Sequence, residues 1–217
     1  MKKIKWRFVP VILSALIFSA GLAIGWVAKP KNGTLYKVVE IVDGDTFFIA
    51  NRQAIRLYGL DAPELPNCFG PEAKTELTRL ILGKPVELRE IFTEGYGRIL
   101  AMVYVDGKLI NDQLIKNGFG LYKGQGNTAT QTLKDAGEFA RQNHLGIFSQ
   151  QCYQITPPDP NCAIKGNVDH LKKTKVYYPL GCKTYNNARM ELYRGDTWFC
   201  SVDEALKAGF SKAPTCK

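Results

Sequence analysis

Between residues 34 and 60, apolar and polar side chains alternate in three short runs, TLYKVVEIV, TFFIA and AIRLYGL, separated by DGD and NRQ. β-Branched and aromatic residues fill the runs and turn formers divide them, so the pattern predicts a meander over residues 34–42, 46–50 and 54–60. The period then changes. In PEAKTELTRLILG, Ala73, Leu77, Leu80 and Ile81 share a helical face, Pro71 suits a first turn and Gly83 a terminus. PVELREI and ILAMVYV return to strand character, and the Asp106-Gly107 turn leads into KLI and a short helix over residues 111–117. A last helix, residues 128–143, sets Leu133, Ala136 and Ala140 on one stripe. Five short strands with interspersed helices predict an α+β unit built on a small closed barrel with helical cover.

Two regions depart from this pattern. Residues 8–28 form an uncharged run of 21 residues behind Lys2, Lys3, Lys5 and Arg7. As a helix the run spans roughly 31 Å, the thickness of a bilayer's hydrocarbon core, and it is long for a cleaved leader. The basic cluster keeps its own end in the cytoplasm and sends the rest across the membrane. Residues 1–31 are therefore read as a signal anchor, with a secreted product after cleavage near Ser19, Ala20 or Ala23 as the alternative. The second departure is QITPPDPN, whose prolines mark residues 154–161 as a linker between a larger unit, 32–153, and a small one, 162–217.

The formal net charge of +9 overstates affinity for anionic partners, because residues 1–31 hold six Lys and Arg and no acid. Residues 34–150 are nearly neutral, with 13 basic and 14 acidic residues, and the excess sits in residues 151–217, with 10 against 6. The six cysteines are an even set in a chain that leaves the reducing compartment, which favours disulfides. Zinc is the competing reading, but no Cys-x2-Cys knuckle exists.

Candidate chemistry gathers in VDGDT and IRLYGLDAPE. Asp43-Gly44 is a hairpin signal, yet a turn needs one acid and Asp45 is a second. Neighbouring strand ends in a meander lie about 5 Å apart, so Asp45, Asp61 and the Ala62 carbonyl, left extended by Pro63, can converge. Such hard oxygen ligands suit calcium better than zinc. Arg56 and Arg98 offer two planar forks shaped for phosphate, and Glu64 is placed to hold or deprotonate a water.

Together VDGDT, IRLYGLDAPE, GPEA, YGRILAMVYVDGKLIN and LGIFS resemble the staphylococcal nuclease (thermonuclease) family over residues 34–150. The resemblance implies a five-stranded OB-fold β-barrel with three helices and calcium-dependent cleavage of single-stranded or locally open DNA and RNA, leaving 3′-phosphate ends. It implies that Asp45, Asp61 and the Ala62 carbonyl are calcium ligands, with Asp43 a supporting acid nearby. Glu64 corresponds to the water-activating glutamate, and Arg56 and Arg98 to the phosphate-binding arginines. GFGLYKGQGNT is shorter than the family's pattern near the nucleotide pocket, and Tyr122, Lys123 and Tyr96 are assigned to substrate binding. A barrel that binds nucleic acid without cutting it is the alternative, and the chain is expected to act as a monomer.

Cys68 follows the DAPE loop and Cys152 closes the last helix, so the two are expected to pair. The tail segments CAIKGN, VYYPLGCKTY and GDTWFCSVDEALKAGF resemble a small cysteine-containing module on exported bacterial nucleases. They also resemble, more weakly, repair modules carrying F-x-S-x-x-E-A-x-x-x-G-[FY]. Tyr178 stands where such modules often have histidine, which favours disulfides here: Cys182 with Cys200, leaving Cys162 with Cys216. Three roles stay open for this small disulfide-rich domain: attraction to nucleic acid, attachment to an anionic envelope, or a stabilising cap.

Overall fold

The computed structural model describes residues 34–93, 97–124 and 128–216. The apolar run 8–28, read as a membrane anchor, and Tyr96, assigned to substrate binding, lie outside the described residues. Among those described, no helix is long and apolar enough to cross a membrane.

The meander forms as β1 (Leu35–Ile41), β2 (Thr46–Ile49) and β3 (Ala54–Leu57), followed by the two-residue β4 (Leu60–Asp61). Next come α1 (Gly70–Ile81), β5 (Pro85–Thr93), β6 (Ile99–Val105), β7 (Lys108–Leu109), α2 (Ile110–Lys116), β8 (Leu121–Tyr122) and α3 (Thr130–Gln142). Strands β3, β2, β1, β5 and β6 are hydrogen-bonded in that order, and a parallel pairing of β3 with β6 closes the circuit. Val38, Phe47, Ile55, Leu57, Val86 and Val103 fill its interior, and Leu77 and Ile81 of α1, Leu114 of α2 and Leu133 of α3 complete one core. Each such side chain contributes about 1.5–3 kcal/mol on leaving water, so this core carries most of the stability.

The strand period also fixes where Arg56 points. In β3, Ile55 and Leu57 are buried while Ala54 and Arg56 are not, so Arg56 must project from the face opposite the core. Asn111, fully buried at the start of α2, holds this corner together. Its Oδ1 accepts from Val103 N–H at 2.9 Å, and its Nδ2 donates to the carbonyls of Tyr58 at 2.8 Å and Ala101 at 3.3 Å. A buried amide with every group satisfied welds α2, β6 and the chain leaving β3 into one piece.

Beyond β9 (Tyr153–Gln154), the chain forms β10 (Ile164–Asp169), β11 (Thr174–Tyr178), β12 (Met190–Glu191), β13 (Thr197–Phe199), α4 (Val202–Lys207) and β14 (Ser211–Lys212). Strands β13, β10, β11 and β14 make a sheet over a small core of Tyr177, Phe199, Ala205 and Phe210. Of the largest fully buried side chains among the described residues, all but Met190 belong to residues 34–150, so this module depends on cross-links. The S-x-x-E of its signature is a helix cap. Ser201 Oγ accepts from Glu204 N–H at 3.2 Å, while the Glu204 carboxylate accepts from Cys200 N–H at 2.9 Å.

The disulfides are Cys68–Cys152, Cys162–Cys200 and Cys182–Cys216. The two within the tail correct the expected pairing of Cys182 with Cys200 and Cys162 with Cys216. Sheet register is the reason. β10 and β13 are antiparallel with Ile164 opposite Phe199, which sets Cys162 beside Cys200. β11 and β14 are parallel with Val176 opposite Ser211, so Cys182 and Cys216 leave the sheet at the same end.

Cys68–Cys152 spans 84 residues. Such a cross-link typically stabilises by about 2–4 kcal/mol by restricting the unfolded chain. Cys68→Ala/Cys152→Ala is expected to lower the unfolding free energy in urea by that amount and to steepen the slope, because the unlinked unfolded chain exposes more surface. A loss below about 1 kcal/mol would show that neighbouring contacts alone hold the loop.

Candidate functional site

The β1–β2 turn is built to aim one carboxylate. Asp43 Oδ1 accepts from the N–H of Asp45 at 3.0 Å and of Thr46 at 2.8 Å, which commits Asp43 to the turn. Gly44 is required by space: a Cβ there would meet Ala73 Cβ at 2.6 Å and Ala62 Cβ at 2.7 Å. The turn thus closes onto α1 and the chain after β4, and it drives Asp45 inward to 2% exposure. There Asp45 Oδ1 accepts from Thr46 Oγ1 at 2.8 Å and Oδ2 from Ala62 N–H at 3.0 Å.

Asp61 arrives from the other side. It ends β4, which pairs with β8 so that Asp61 faces Leu121. Arg56 Nη2 lies 2.7 Å from Asp45 Oδ2 and 2.9 Å from Asp61 Oδ1, so one guanidinium nitrogen bridges the two carboxylates. Lys123 Nζ donates to the other oxygen of Asp61. Burial pushes the Asp45 carboxyl up to about 7, against the opposing pull of Arg56.

Glu64 follows on an exposed turn, its carbonyl accepting from Asn67 N–H at 2.8 Å. A Cβ at Gly70 would stand 2.2 Å from that carbonyl, so glycine at the start of α1 lets the Glu64 turn pack directly on the helix. Glu64, Asp61, Ala62 and Lys123 line a cavity of about 230 Å³. Arg98 immediately precedes β6, and the parallel register sets Arg56 opposite Leu100. Strand alternation therefore gives Arg98 and Arg56 the same face.

Two expected site residues make contacts that the sequence did not show. Tyr122 is not among the residues lining the cavity; its ring packs on the core and its hydroxyl is buried, because β8 turns it toward α3. Ala62 donates its N–H to Asp45, a bond additional to the role expected of its carbonyl. Sequence reasoning missed Thr46, which orients Asp45, and His170, Tyr193 and Arg194, which line the same cavity from the tail. A threonine directly after the second acid was a readable signal for the first. Nothing local marks the other three.

Among the described residues no three His, Cys, Asp or Glu side chains form a cluster able to hold a metal ion. Two converging carboxylates are nevertheless hard donors that suit an oxygen-seeking divalent ion completed by water and substrate.

The family profile described as staphylococcal nuclease homologue matches residues 54–150. The "Micrococcal nuclease" of Shigella flexneri is 32% identical over 126 residues, which cover 52% of this chain and 72% of the relative. "Protein ParB" of Escherichia coli is 30% identical over 145 residues, covering 60% and 82%. The "Probable staphylococcal-like nuclease CAN2" of Oryza sativa subsp. japonica is 35% identical over 83 residues, 38% of this chain. The chain spans only 22% of that rice protein's length.

Proposed function

The chain belongs to the staphylococcal nuclease homologues, and from that premise we propose that it is a calcium-dependent phosphodiesterase cutting DNA and RNA outside the cytoplasm. The observation that carries the reading is the meeting of Asp45 and Asp61 on one nitrogen of Arg56, with Asp61 also lining the cavity that Glu64 lines. The closed five-strand circuit is read as an OB-type barrel, the frame that brings these strand ends together.

In this reading Asp45 and Asp61, with the Ala62 carbonyl, hold calcium, which when bound neutralises and polarises the phosphodiester. Glu64 reaches into the cavity from an exposed turn and takes the proton of the attacking water. Arg56 and Arg98 donate to the phosphoryl oxygens as their charge grows. The water oxygen bonds to phosphorus as the P–O5′ bond breaks, the departing 5′-oxygen takes a proton from solvent, and the phosphate stays on the 3′ side. Lys123, bonded to Asp61, lies where an incoming phosphate can draw it away.

Three disulfides support an oxidising compartment, consistent with the anchor read in residues 1–31. The test mixes residues 32–217 with plasmid DNA and RNA in calcium and then in chelator. Cleavage that stops on chelation is expected. Cleavage indifferent to chelation would overturn the metal assignment, and binding without cleavage in either condition would make the protein a nucleic-acid-binding module.

A further inference from the structure

The cavity onto which Glu64 opens is completed by a part of the chain outside the matched span. His170, Tyr193 and Arg194 of the C-terminal module line it together with Asp61, Glu64 and Lys123. These residues are held firmly. Tyr193 is buried among Ala140, Ile147, Phe148 and Cys152, and the neighbouring Leu192 N–H donates to the Cys152 carbonyl at 2.8 Å. β12 pairs with β9, setting Met190 opposite Gln154 and Glu191 opposite Tyr153. The Tyr193 carbonyl accepts from Asn67 Nδ2 at 3.4 Å, and Asn67 closes the turn that begins at Glu64. His170 Nε2 donates to the Arg194 carbonyl at 2.7 Å. The module is thus fastened to the turn that carries Glu64.

Arg194 is the cation this wall presents. Its side chain is 39% exposed, and Glu191, its ion partner among the described residues, lies at 3.3 Å. Arg194 also borders a second cavity of about 690 Å³, whose lining includes Lys172, Arg189 and Tyr178. Of the acids around that second cavity, Asp196 accepts from Val168 and Glu191 N–H, and Asp169 from Leu171 and Lys172 N–H. Lys172 pairs with Asp169 at 3.8 Å and Arg194 with Glu191 at 3.3 Å, partly exposed pairs with which a ligand phosphate can compete. A guanidinium fork binds phosphate bidentately, and an aromatic face stacks on a base of any sequence.

We infer that the C-terminal module forms one wall of the substrate groove, with Arg194 gripping the backbone phosphate next to the one being cut and the strand continuing into the second cavity. The ligand's identity as a single-stranded polynucleotide rests on the nuclease reading above. The charge excess of residues 151–217 then has a directed use at this wall.

The test measures binding of a fluorescein-labelled single-stranded 12-nucleotide DNA by anisotropy in EDTA, across a series of salt concentrations. Arg194→Ala and Arg194→Gln are compared with the wild type and with Lys207→Ala, which removes an equal charge from α4. Both Arg194 variants are expected to weaken binding at least about fivefold and to flatten the salt slope by about 0.7, the increment for one phosphate on a single strand. Lys207→Ala is expected to match the wild type. Unchanged binding in both Arg194 variants, an equal loss in Lys207→Ala, or no binding by the wild type would overturn the inference. Cleavage assayed alongside keeps the two readings apart: a wild type that cuts nothing defeats the nuclease reading, while the Arg194 comparison alone decides this one.

Discussion

Arg56→Lys is expected to reduce the rate of polynucleotide cleavage at saturating substrate by about 10² to 10³, the usual cost of losing one preorganised donor to developing charge. Lysine keeps the charge and loses the geometry. A single arginine nitrogen now meets Asp45 at 2.7 Å and Asp61 at 2.9 Å, which leaves the rest of the planar fork for a phosphoryl group. A lysine ammonium can neutralise one carboxylate as a point charge but cannot bridge the pair and grip phosphate bidentately as well. Circular dichroism should confirm the fold, because Arg56 projects from the face of β3 opposite the core. A rate within tenfold of the wild type would remove Arg56 from charge stabilisation and leave it an ion-pair partner.

Asp45→Asn is expected to abolish calcium-dependent cleavage and, in chelator above pH 7, to make the protein more stable. The folded Asp45 carboxyl titrates at about 7 where the unfolded one titrates near 3.8. The native state therefore binds this proton more tightly than the unfolded state does. Stability from that group is fully present below about pH 4 and is lost as pH rises through about 7. Asparagine has no proton to lose. Its amide keeps an oxygen for Ala62 N–H and turns its NH2 toward Thr46 Oγ1, which can accept. Thermal melts in EDTA should place the variant several degrees above the wild type at pH 8, at about 2–4 °C per kcal/mol, with the gap closing toward pH 4. Saturating calcium should raise the wild type's melting temperature and leave the variant's unchanged. A variant that melts lower at pH 8 in EDTA would show that the Arg56 pairing outweighs the burial of Asp45.

Much of the candidate site lies within two short motifs and was legible for that reason. Asp43, Gly44 and Asp45 form a turn whose bonds run between residues two or three positions apart, so the residue types dictate it. The alternation in AIRL decides by itself that Arg56 leaves the core. The Ala62 N–H bond to Asp45 was not legible, since it depends on how closely the β1–β2 turn approaches the chain after β4. The burial of the Tyr122 hydroxyl was not legible, because a tyrosine beside a lysine looks the same whether its ring faces solvent or α3.

The main strands and helices of residues 34–150, the two acids and the arginine of the candidate site, and the link between Cys68 and Cys152 are legible in the chain, whereas the two-residue strands β4 and β8 are not. Period and turn chemistry act over a few residues and leave a local trace. The parallel pairing that closes the strand circuit and the choice of which tail cysteines meet come from the assembled fold. That fold also decided that one guanidinium nitrogen joins Asp45 to Asp61, and that Arg194 stands at the cavity Glu64 lines. Each of these depends on the register between segments far apart in the chain, and register is settled by packing of the whole core, which no short window of residues contains.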